Sequence, residues 1–131
     1  MTSTYKEFIS LIPALSKDKN FGKWIDHDQE GNLIFPYYEY SGAAEQLCYA
    51  IEHFSHKHFG FDAGQILGKN HIKMTESDLL EVDVNKLDSD AVMACLVWIL
   101  LTEKFCEGFL LDFLRKGTIL KWLKRLKELE Q

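Results

Sequence analysis

Two prolines, Pro13 and Pro36, and three cysteines are the chain's whole stock of the residues that most restrict a backbone. The cysteines, Cys48, Cys95 and Cys106, are odd in number and show no C-x-x-C spacing, which argues against a disulfide framework and a paired-thiol zinc site. On one continuous helix Cys95 and Cys106 would lie roughly 16 Å apart, too far to bridge, so three reduced thiols are expected. The longest apolar run is far short of the roughly 20 residues of a membrane span. The amino terminus, Met1 to Glu7, lacks the apolar centre of a signal peptide. A cytoplasmic location and no membrane partner are therefore expected. The net charge of −5 is mild, and the total balance gives no reason to bind nucleic acid or a membrane surface. Internal repeats and low-complexity tracts are also missing.

What is present is apolar bulk: 47% of 131 residues are hydrophobic, enough for one domain, 1–131, with a real core. The chain is organised around its last third. Ala91 to Leu101 is an apolar run of good helix formers without Gly, Pro or a polar face, and a helix apolar on every side must be wrapped by the rest of the chain. Asp88, followed by Ser89 and Asp90, supplies a cap and first-turn acids for its free amides. Gly108 marks a bend, and a second segment from Phe109 to Lys116 stops at Gly117, the residue that best tolerates a left-handed C-cap. Thr118 then opens a helix with Ile119, Trp122, Leu123, Leu126 and Leu129 on one face and Lys121, Lys124, Arg125 and Lys127 on the other.

Earlier in the chain, Thr4-x-x-Glu7 is a capping-box pattern before a short amphipathic helix that Pro13 should break. Phe21 to Ile25 and Leu33 to Tyr40 have strand chemistry and flank a polar, Gly-containing loop, so they predict a β-hairpin, with Pro36 confining the second strand to an edge. Two strands alone are marginal, so the hairpin must lie against helices. Ser41 opens a helix to about Phe59 with Ala44, Leu47, Cys48, Ile51, Phe54 and His58 on one side; Asp62-x-x-Gln65 caps a short one after it. Met74 to Asp90 reads as an acidic linker pinned by Leu79, Leu80, Val82, Val84 and Leu87. The fold class is mainly α, with five or six helices around a buried central helix at about 89–106 and one β-hairpin at about 21–40 packed on them.

Several clusters carry possible chemistry. Asp26-x-Asp28-x-Glu30-Gly31-x-Leu33 imitates half of a calcium loop, but Tyr37 stands where the closing glutamate belongs, so a solvated hairpin turn is the better reading. His53, His56 and His58 with Glu45 and Glu52 are the densest set of ligand types. On a helix Glu52 and His56 stand one turn apart on the same side, whereas His58 extends the apolar stripe and reads as a packed histidine. No H-E-x-x-H spacing exists, so no bound metal or cofactor is expected. Cys106 beside Glu107 lacks a neighbouring His, and an adjacent carboxylate disfavours the thiolate; a buried inert thiol is expected. Arg115, Lys116, Lys121, Lys124, Arg125 and Lys127 form a basic face, with the acidic 76–90 stretch as a candidate internal counterpart. Trp24, Phe35, Tyr37, Tyr38 and Tyr40 crowd the hairpin, and alternation lets only half face inward, leaving an aromatic patch for a partner or ligand.

The pattern Glu103-Lys104-Phe105-Cys106-Glu107-Gly108-x-Leu110-x-x-Phe113-Leu114-x-x-Gly117-x-Ile119-x-x-Trp122-Leu123-x-Arg125-Leu126, with Tyr5 to Pro13, Trp24, Met74 and Val84 to Leu87 as earlier landmarks, resembles a bacterial family of small proteins of unknown function. The resemblance implies a small bacterial protein and no activity to carry over; within it Glu107, Phe105 and Arg125 stand out.

The favoured function is a noncatalytic interaction or regulatory module that binds a protein partner or itself through the aromatic hairpin or the C-terminal helix. The alternative is a small metal- or ligand-dependent enzyme near Glu52, His56, Glu103 and Glu107. Nucleic-acid binding through the basic helix is a second alternative, and nucleic acid is the less expected partner. The candidate surface comprises Glu52, His56, Glu103, Glu107, Tyr37, Tyr38 and Arg125.

Overall fold

A computed structural model describes residues 5–130. In chain order the elements are α1 (Lys6–Ile9), α2 (Ile12–Lys17), β1 (Gly22–His27), β2 (Leu33–Tyr40), α3 (Gly42–Lys57), α4 (Ala63–Lys69), α5 (Glu76–Leu80), a 3-10 turn (Val84–Lys86), α6 (Ser89–Glu103), α7 (Phe109–Arg115) and α8 (Thr118–Glu130). The expected α+β architecture is found, with more helices than five or six because several are pieces of only one or two turns. Pro13 sits in the first turn of α2, where its missing N–H costs no hydrogen bond. The expected cap at Thr4 lies outside the described residues.

Helix α6 is the axis. From Ala91 to Val97 every side chain is buried, as are Ile99 and Leu100, and Asp88 caps the helix by accepting the Ala91 N–H at 2.8 Å. It closes at Glu103, three residues before the expected end, and Gly108, at φ +95°, turns the chain into α7. Around it pack α3, α4, α7 and α8. Helix α8 gives Ile119, Trp122, Leu123 and Leu126 of its apolar stripe to this core while Leu129 at its end is exposed, and α1 and α2 pack against α8. The acidic stretch folds into α5 and the 3-10 turn, anchored by the buried Leu79 and Leu87. Full burial of a Leu or Met side chain stabilises by about 1.5–3 kcal/mol, so the cohesion of the molecule is concentrated along α6.

Two expectations fail here. His58 is exposed, not packed in the core: α3 ends at Lys57, so His58 sits beyond the helical stripe, its ring 4.5 Å from that of Phe54. Cys106 is exposed too, because the chain leaves the helix before reaching it; Cys95 is buried and Cys48 half-buried.

Candidate functional site

The hairpin sorts its aromatics by the pleat. β1 and β2 pair antiparallel with Trp24 opposite Tyr38 and Ile25 opposite Tyr37. Tyr38 turns towards the helices and is fastened there. Its hydroxyl donates to the Asn20 carbonyl and accepts from Arg115 Nη2 at 3.3 Å, and the Arg115 guanidinium lies 5.7 Å from the ring centre. Trp24 and Tyr40 meet the same ring edge-on, with centroids 5.4 and 5.2 Å away. Tyr38 is thus a buried anchor and offers no outer surface, unlike Tyr37.

The far end of the hairpin is bare. Phe35 is 95% exposed, Leu33 78% and Tyr37 43%, and Leu33, Ile34, Phe35 and Pro36 line one shallow hollow, while Trp24, nearer the root beside Tyr38, is 58% exposed. The turn beneath them is held by Asp28, whose Oδ1 accepts the Glu30 and Asn32 N–H groups at 2.9 and 2.8 Å. These bonds, that of Asn32 first, hold the Asp28 carboxyl below its ordinary range. Its oxygens thus serve the backbone of a hairpin turn.

The two hairpin edges differ. The Tyr38 N–H points away from the ladder and donates to Glu107 Oε1 at 2.8 Å, and Pro36, two residues earlier, has no N–H to offer. The outer edge of β2 therefore offers another strand no donor at these two positions. In an antiparallel ladder opposite residues share their hydrogen-bonding sense, so Trp24, opposite Tyr38, aims its N–H and C=O outward along β1.

The remaining candidate residues do not converge. Glu52 and His56 line a groove of about 330 Å³ with Ser55, Lys104, Val97 and Leu101. Glu103 instead caps α7, its Oε1 accepting the Gly108 and Leu110 N–H groups at 3.2 and 2.8 Å. Its charge is felt nearby: Cys48 is pushed up to about 12, by burial first and then by Glu103. Tyr40 is also raised, by burial first and then by Glu103, and its buried hydroxyl stands beside that carboxylate without hydrogen-bond geometry. Arg125 donates from Nε to the Leu87 carbonyl at 3.0 Å and from Nη2 to that of Asn85 at 3.1 Å, strapping the 3-10 turn to α8. The acidic stretch thus meets Arg125 through backbone carbonyls, not carboxylates. Among the described residues, no three His, Cys, Asp or Glu groups are placed to hold a metal, and no helix is long and apolar enough to cross a membrane.

A second apolar exposure was not anticipated. Where α6 emerges from its wrapping, Leu101 is 45% exposed, and Phe59 and Phe105 are almost wholly so. The end of the apolar run at Leu101, followed by Thr102-Glu103-Lys104, was the available signal.

Compared with known proteins, the chain matches over residues 1–131 the family model described as "Family of unknown function (DUF6508)". No curated protein and no solved structure matches it.

Proposed function

Because the chain belongs to this family of unknown function, its role has to be argued from its own surface, and we propose that it is a noncatalytic interaction module that associates with itself through the hairpin. The observation that carries this reading is the exposed apolar run of β2, Leu33, Ile34, Phe35 and Tyr37. Contiguous apolar patches on soluble proteins mark surfaces that a partner covers, and aromatic side chains dominate the energetics of such contacts. Helix α8 is the poorer candidate, because its apolar stripe, Leu129 apart, is already spent on the core. Its exposed lysines suit phosphates, but Trp122 is buried and cannot stack on bases. In this reading the protein works in a reducing compartment, where Cys48, Cys95 and Cys106 remain thiols.

Sedimentation velocity of the purified chain tests the proposal. A dimer or higher species at micromolar concentration is expected, shifting to monomer in Phe35→Ser. A monomer at every concentration tried removes self-association.

A second reading rests on the groove that brings Glu52, Ser55, His56 and Lys104 onto one apolar-lined wall, which suits a small polar ligand. Thermal-shift screening against divalent metals and small carboxylates, with His56→Ala as control, tests it; no His56-dependent shift discards it.

A further inference from the structure

The hairpin's root carries a complement to its tip. A cleft of about 200 Å³ opens where α2, the start of β1, α7 and α8 meet, walled by Leu15, Phe21, Leu114 and Leu120 and bordered by Lys19 and Arg115. A cavity of roughly 150 Å³ suffices for benzene, so this one takes a phenyl ring. Lys17 and Lys116 adjoin it in sequence, and Asp18, the one acid in its wall, is engaged by the Phe21 N–H and the Ser41 hydroxyl. The tip has the opposite character: the apolar Leu33 and Phe35 beside Asp26, Asp28 and Glu30.

We infer that the tip of one copy docks in the root cleft of a second copy, Phe35 entering between Leu15, Phe21, Leu114 and Leu120 while the tip carboxylates face Lys19 and its neighbouring cations. This rests on the self-association reading above and names both halves of the contact. The tip cannot fill its own cleft. Phe21 lies in the cleft wall and at the foot of β1, and at about 3.3 Å per strand residue Phe35 stands some 15–20 Å further out. Two copies related by a two-fold axis, their hairpins side by side and oppositely directed, place each tip at the other's root. Both contacts then form at once and the assembly closes as a dimer. Charge complementarity makes association salt-sensitive, since exposed charges are screened over about 10 Å at 0.1 M salt.

The test is sedimentation of the full chain across salt concentrations, with circular dichroism confirming that each variant is folded. The wild type is expected to dimerise, more weakly at high salt. Phe35→Ser should weaken the dimer roughly tenfold to a hundredfold, the span that loss of one buried aromatic implies. Glu30→Lys and Lys19→Glu should each weaken it by roughly fivefold, and the double variant, which restores opposite signs across the contact, should recover most of the loss. A dimer indifferent to Phe35→Ser overturns both this docking and the hairpin reading. A dimer that needs Phe35 but ignores Lys19→Glu and shows no rescue overturns the cleft alone. Assemblies that grow without limit overturn the reciprocal dimer, and a monomer throughout overturns the whole proposal.

Discussion

Helix α6 and strand β2 both concentrate apolar side chains, and they meet opposite fates. Along α6 nine side chains are buried in succession or near it, with α3, α4, α7 and α8 drawn around them. In β2 only Tyr38 is buried, while Phe35, Leu33 and Tyr37 are exposed. Apolar residues in α6 are required by the fold, because a helix without a polar face cannot stand in water. Those at the hairpin tip do nothing for the fold. Similar composition thus serves cohesion in one place and contact in the other, and the two can be separated by mutation.

The sharpest break in the comparison is Leu96→Ala. It leaves a cavity in the middle of α6 and should cost about 2–5 kcal/mol, read as a lowered urea midpoint with an unchanged slope. A smaller loss is expected from Glu103→Ala, which strips the carboxylate from the half-buried amides of Gly108 and Leu110; about 1–2 kcal/mol should go, from the α7 end of the molecule. Acidification acts on the hairpin turn. Asp28 has a depressed pKa in the folded turn, so its contribution is present above the unfolded value and fades as pH falls through the lowered one. The Glu30 and Asn32 amide protons, followed by NMR, should shift together with a midpoint below 3.8, the ordinary value, while amides in the middle of α6, such as that of Leu96, stay put. The smallest effect on stability belongs to Phe35→Ser, expected within about 0.5 kcal/mol. If the urea midpoint falls as far as in Leu96→Ala, the tip is part of the fold after all and the distinction between the regions is lost.

Much of the framework was readable from residues. Asp88, Gly108 and Gly117 punctuate the last third where their cap and turn chemistry says they should, and the run from Ala91 to Leu101 is buried up to its final residues because no polar side chain in it could face water. The hairpin and its outward aromatics followed from strand chemistry and the two-residue pleat. The candidate site was less legible. Glu103 and Glu107 look like free carboxylates in a string of letters, yet one caps α7 and the other reaches back to Tyr38, a partner 69 residues away. Such use depends on the turn after α6, which only the packed chain defines. His58 and Cys106 were misplaced for a related reason: each lies just beyond the end of a helix, where the periodicity that assigns a face no longer applies. Arg125 looked like one cation among several, and only the 3-10 turn brings it two carbonyls.

The bond from Glu107 to the Tyr38 amide limits how large any sheet built from this protein can grow. β1 is the more open margin for another strand, because β2 presents no usable donor at Pro36 or Tyr38. Were two copies to join by that margin, the resulting four-stranded ribbon would end on either side in a strand lacking those two donors. Such a union discourages further growth, and the chain carries a built-in safeguard against fibre growth at the very place where its apolar side chains are most exposed.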